Sequence, residues 1–226
     1  MTALGSGRSG LRGAPSRGSA LLGWTALCAS AEAIGMTAAA LAAKLSQQLL
    51  GQHPHGRETA LALAVVVAGG LVEGVALGAM QAWGLRWRVP GLNLRRWVLI
   101  TTAVAGLGWA VASIPGVLAD DDSGGSSPPP GVVVLGALAL GAVMGTLLGA
   151  AQASVLRDHA RRPGRWILAN AMAWPPAMAV IFVGATTPDG NWPVATVALL
   201  GAGTGLAAGA VLGLVTGCFL TTSLVV

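Results

Sequence analysis

Residues 70–86 read GLVEGVALGAMQAWGLR, and residues 141–157 read GAVMGTLLGAAQASVLR. Aligned end to end, they share Gly70, Gly74, Gly78, Gln81, Leu85 and Arg86 with Gly141, Gly145, Gly149, Gln152, Leu156 and Arg157. A third stretch, residues 205–220 (GLAAGAVLGLVTGCFL), puts Gly205, Gly209, Gly213, Thr216 and Leu220 at the same spacing, with threonine in place of glutamine. Steps of four, four, three and four keep these positions within about 80° of one another on a helix that turns about 100° per residue. Each stretch therefore predicts a helix with a smooth stripe of small residues, along which another backbone can approach closely. Such stripes suit a lipid environment, where close small-xxx-small packing associates helices in the absence of a hydrophobic drive. Gln81, Gln152 and Thr216 lie on the stripes as polar packing residues.

The rest of the chain agrees with lipid. Of 226 residues, 54% are hydrophobic and only 9% charged, and 34 are glycine. That excludes a disordered chain. It also excludes an ordinary soluble domain, in which about 25% of residues are charged. Collagen is excluded because glycine does not recur at every third position. Six apolar runs, 20–43, 60–85, 97–118, 131–156, 166–186 and 194–217, are each long enough to cross a bilayer, which takes about 20 residues. The expected fold is all-α: a polytopic transmembrane helix bundle of six spans. Residues 20–226 would form one transmembrane domain behind a disordered tail at 1–19.

The formal charge is +5, and its distribution points to topology, with no nucleic-acid partner. Arg8, Arg12 and Arg17 precede the first run, Arg86, Arg88, Arg95 and Arg96 follow the second, and Arg157, Arg161, Arg162 and Arg165 follow the fourth. The other connections hold only Lys44 and Arg57. Basic residues collect on the cytoplasmic side of membrane proteins, so both termini are expected there. Residues 1–33 also read as a secretory signal ending near Ala29-Ser30-Ala31. Cleavage there would leave five spans, but the first run belongs to the repeat described next.

The odd-numbered runs match one another as well. Arg96-Trp97-Val98-Leu99 aligns with Arg165-Trp166-Ile167-Leu168, and Trp24 opens the first run. Four residues past each Trp stand Cys28, Thr101 and Asn170, and eight past stand Glu32, Ala105 and Trp174. The chain thus reads as three parallel two-helix repeats, each a Trp helix going out and a glycine helix coming back. Hydrogen bonds are expected between Gln152 and Asn170 and between Gln81 and Thr101. The tandem G-x-x-x-G-x-x-Q-x-x-x-L-R and R-W-x-L … W patterns resemble uncharacterised multi-pass bacterial membrane proteins, over about residues 22 to 220. The resemblance implies a bacterial plasma-membrane location and carries no activity.

Two carboxylates, Glu32 and Glu73, fall inside spans. An acid at mid-span costs several kcal/mol unless it is neutralised or paired. The repeat does not impose either one, since Met144 and Ala208 stand at the positions equivalent to Glu73. They read either as a proton or cation site or as groups hydrogen-bonded inside the bundle. His53, His55 and Glu58 make only a weak metal pattern beside the three or four ligands a site needs. Asp120, Asp121 and Asp122 read as a solvated loop. No metal or cofactor is assigned. No nucleophile stands with a base and an orienter, no phosphate loop is present, and no histidine lies in a span to hold haem.

Two functions follow from these residues. The first is a non-catalytic membrane protein that acts by helix packing, as a homo-oligomer or as the accessory subunit of another membrane protein. The alternative is a small transporter or proton/cation channel using Glu32, Glu73 and the backbone freed at Pro175-Pro176. A wet cavity in which the two carboxyls meet beside that proline pair favours transport; a closed core in which each faces a backbone donor favours packing.

Overall fold

The computed structural model describes residues 16–51, 56–118 and 129–223. Six helices account for nearly all of them: α1 (Arg17–Leu50), α2 (Arg57–Leu85), α3 (Leu94–Leu118), α4 (Pro130–Leu156), α5 (Gly164–Ala185) and α6 (Val194–Ser223). All six are long and apolar enough to cross a membrane. No strand occurs among the described residues. The tail at 1–15, His53, His55 and Asp120–Asp122 lie outside the described residues.

The first helix differs from the expected span. It begins at Arg17, so residues 17–19 are helix and not tail, and it continues to Leu50. Lys44 therefore sits on a helix and not on a connection. Ser16 caps the start, its Oγ accepting from the Ser19 amide at 3.3 Å. Gly51 closes the end with φ 83°, a left-handed conformation that glycine adopts freely, and its N–H reaches Gln47 O at 3.1 Å. α3 likewise runs on past Pro115.

Each helix packs on its neighbours in sequence, and α6 closes on α1, giving a closed ring of six antiparallel helices. Large apolar side chains such as Leu22, Leu61, Leu99, Leu135, Leu168 and Leu199 point outward, as lipid-facing positions require. The start of α1 and the arginine-bearing connections α2–α3 and α4–α5 share one end of the ring, here termed the basic end. Arginines there also have local partners. Arg88 donates to Gly84 O at 2.8 Å and to Ala20 O at 3.3 Å, and Arg86 lies 5.0 Å and 4.7 Å from the Trp83 and Trp87 ring centres.

The glycine stripes decide which helices press together most closely. A methyl group built on Gly78 would lie 3.0 Å from Val98 Cα, on Gly149 2.8 Å from Ile167 Cα, and on Gly213 2.5 Å from Thr25 Cα. Val98, Ile167 and Thr25 each follow directly on a tryptophan. One turn further out, Gly74, Gly145 and Gly209 meet α3 at Thr102, α5 at Asn170 and α1 at Cys28. Gly141 and Gly205 continue the pattern against Pro175 and Ala33, whereas Gly70 faces the Trp109 indole. Each stripe therefore seats on the Trp helix that follows it around the ring: α2 on α3, α4 on α5 and α6 on α1. The expected hairpins paired each Trp helix with the glycine helix after it. Of those pairs, α3 with α4 is the loosest seam in the ring.

Candidate proton and cation site

At the basic end, the ring is closed by the three tryptophans and the polar stripe residues. Trp97 Nε1 donates to Gln81 Oε1 at 3.3 Å, Trp166 Nε1 to Gln152 Oε1 at 2.8 Å, and Trp24 Nε1 to Thr216 Oγ1 at 2.9 Å. The same contact thus recurs around the ring, from the first turns of a Trp helix to the last turns of the glycine helix beside it. Gln152 Nε2 also donates to Gln81 Oε1 and to Thr101 Oγ1, both at 2.9 Å. The Trp166 ring lies between the Trp24 and Trp97 rings, at centroid distances of 6.1 Å and 5.9 Å. Leu85, Leu156 and Leu220 fill the space around them.

Two of the expected bonds take other partners. Asn170 Nδ2 donates to Trp166 O at 2.9 Å, so Gln152 is left to the indole of Trp166. Thr101 meets Gln152 across the ring, while Gln81 takes the Trp97 indole. The tryptophans are legible in sequence as the opening residue of each odd run, but nothing there marks them as indole donors to the stripes.

Above this plug lie the two carboxyls, both buried. Gly35 stands one turn beyond Glu32 on α1, and a methyl group there would lie 2.5 Å from Glu73 Cβ. Glu73 is therefore seated against α1 one turn from Glu32, within electrostatic range of it. Glu73 Oε2 accepts from Trp109 Nε1. Neither oxygen of Glu32 has a hydrogen-bond partner, and its side chain is 0% exposed. Cys28, one turn below Glu32, is fully buried in the cluster that holds the three plug tryptophans.

On the far side of the carboxyls the ring is hollow. A cavity of about 210 Å³ runs between α2, α3, α4 and α5, from Thr101 toward the basic end to Ser113 and Ala185 at the other. Glu73 is its one charged lining residue, and Trp174 and Met178 border it on either side of the Pro175-Pro176 pair. Another cavity, of about 140 Å³, begins at Met36, one turn beyond Glu32, and is lined by Lys44, Gln47, Asp189 and Thr204 among others. Trp109 and Ala185 border both cavities. Lys44 Nζ donates to Gly190 O at 2.6 Å, pinning α1 to the α5–α6 turn. Sequence reasoning misses both Trp109 and Lys44 as site residues. Trp109 stands twelve residues past Trp97, out of step with Trp174, eight past Trp166, so the repeat does not mark it.

No group of three or more metal-ligating side chains occurs among the described residues.

The unpartnered carboxyl has a stability consequence. A buried polar group left without a hydrogen bond costs about 1–3 kcal/mol. Glu32→Met keeps the volume and removes the polar atoms, so it is expected to raise stability by about 1 kcal/mol or more. Denaturation of the purified chain in mixed micelles checks this. A variant less stable than the parent would mean that the carboxyl is satisfied.

Comparison with family models, curated proteins and solved structures gives no match.

Proposed function

We propose that the protein is a small membrane transporter in which Glu32 and Glu73 carry a proton or cation through the ring. The carrying observation is the Glu32 carboxyl, fully buried and unpartnered beside a second acid whose wall opens on a cavity. A carboxyl without a fixed partner is free to exchange a proton or receive a cation, and intramembrane acids facing a cavity mark such pathways. The packing reading accounts for the glycine stripes, which transport also needs as scaffold, but it leaves Glu32 without a purpose. Closure at the basic end and hollowness at the other suit alternating access better than an open pore.

The recurring indole bonds and stripe contacts support reading the chain as three parallel copies of one unit about an axis along the membrane normal. In that reading the unit is a glycine helix with the Trp helix that follows it around the ring. The arginine asymmetry supports placing the basic end in the cytoplasm, with the cavities opening outward across a bacterial plasma membrane. The acid pair is specific to the α1–α2 contact, where the copies have diverged.

Liposomes containing the full chain and an internal pH-sensitive dye test this. An imposed pH gradient is expected to collapse faster than in empty liposomes. Glu32→Gln and Glu73→Gln are each expected to slow that collapse by about tenfold or more. Equal rates for the parent and both folded variants would overturn the proposal.

A further inference from the structure

The larger cavity has an unusual lining for a proton path alone. Apart from Glu73, Thr101 and Ser113 its walls are apolar, and they include Trp174, Phe182 and the methionines Met144 and Met178. Water gains little from such a surface, whereas an apolar molecule gains from burial at about 25 cal/mol per Å². A dry cavity of about 150 Å³ takes up benzene, so about 210 Å³ admits an aromatic ring carrying a small head group.

The charge of that head group follows from the surroundings. The one titratable group facing Glu73 from α1 is Glu32, and Cys28 stands one turn further along α1, beside Glu32. The α3, α4 and α5 walls of the cavity contribute none. Lys44 and Asp189 line the other cavity, on the far side of Trp109, and Lys44 Nζ is held by Gly190 O. Glu73 thus faces the cavity with a second acid buried behind it on α1 and no cation in the lining. An apolar molecule with a positive head supplies the missing charge at Glu73 and fills the remaining volume. Trp109, which holds one Glu73 oxygen, and Trp174 add aromatic faces that attract organic cations.

A route for such a molecule is also present. The seam between α3 and α4 is the loosest in the ring, and part of it is a Gly108–Met144 contact. Methionine is unbranched and adapts its shape readily, so this seam yields most easily to a molecule arriving sideways from lipid. The α2–α3, α4–α5 and α6–α1 contacts are locked by glycine against backbone.

We infer that the cavity between α2, α3, α4 and α5 binds a lipophilic organic cation, with Glu73 as its counter-charge and entry between α3 and α4. The inference rests on the transport reading and names its substrate class.

Phenyltrimethylammonium and its neutral isostere tert-butylbenzene separate charge from shape. With the full chain in nanodiscs, saturable change in tryptophan fluorescence above empty nanodiscs measures binding. The cation is expected to bind about tenfold or more tightly than the isostere, and Glu73→Gln to remove about that factor. Ala112→Trp fills cavity volume from the α3 wall while leaving Glu73 in place, and is expected to abolish binding of both. Equal affinity for cation and isostere overturns the inference. So does unchanged cation binding in folded Glu73→Gln or in Ala112→Trp. Binding at equilibrium needs no gradient, so the two readings fail separately. Gradient collapse through Glu32 and Glu73 without cation binding removes the substrate class alone. Cation binding without gradient collapse removes the transport reading and leaves the binding site.

Discussion

Gly209→Leu unfolds the α6–α1 contact, whereas Gly203→Ala, six residues away on the same helix, leaves stability unchanged. At Gly209 a first side-chain carbon would lie 2.5 Å from Cys28 O and 2.6 Å from Ala29 Cα. Both are backbone atoms of α1, so no rotamer change relieves the clash and the helices must separate. Gly205 and Gly213 stand one turn to either side, against Glu32 O and Thr25 Cα, and separation at Gly209 loosens them too. Inserting even a methylene into a packed interior costs about 1–3 kcal/mol. A leucine against rigid backbone, prising apart the glycine seats on both sides, is expected to cost about 3 kcal/mol or more. A methyl group on Gly203 meets nothing within 4 Å, so that change is expected to stay within about 0.5 kcal/mol of the parent. Unfolding both variants in mixed micelles, followed by circular dichroism, decides the matter. If the two variants lose stability equally, the stripe is not a packing surface.

That contrast also marks what sequence can and cannot supply. The stripe is legible because the spacing of Gly205, Gly209 and Gly213 matches helical geometry and needs no partner to be seen. The partner is not legible, because a row of glycines is equally smooth toward either neighbour. The stripe seats on the α1 backbone at Thr25, Cys28 and Glu32, and which helix supplies that backbone follows from ring closure, which no local spacing encodes. The length of α1 escapes sequence reasoning for a different reason. Lys44, Ser46, Gln47 and Gln48 read as a break in an apolar run, yet backbone hydrogen bonding continues through polar residues when a cap such as Gly51 waits beyond them. Lys44 is 8% exposed because a carbonyl on the α5–α6 turn receives its ammonium, a contact made across 146 residues of chain. The depth of Glu32 and Glu73 is readable because acid stands out in an apolar run. Their mutual approach depends on Gly35, one of many glycines, and on ring closure that no local pattern encodes.

The plug at the basic end yields the second large effect. Gln152→Leu is expected to destabilise the protein by about 2–4 kcal/mol although it nearly conserves volume. Gln152 is 0% exposed and uses every polar atom it has: Oε1 accepts from Trp166, and the two Nε2 hydrogens go to Gln81 and Thr101. Leucine leaves the Trp166 indole N–H buried without an acceptor, a cost of about 1–3 kcal/mol. It also deletes two further bonds, each worth about 0.6 kcal/mol between helices in membranes. Thr101 keeps its bond to Trp97 O, and Gln81 still accepts from Trp97, so the damage centres on Trp166. Gln81→Leu orphans the Trp97 indole instead, through a longer bond of 3.3 Å, and is expected to cost less. The double variant is expected to cost less than the two single changes together, because the Gln81–Gln152 bond is broken in both. A double-mutant cycle on unfolding free energies in mixed micelles reads that difference. Strict additivity would mean that the glutamines act separately, and the three tryptophan contacts would then be independent helix-end clasps and not one connected seal beneath the carboxyls.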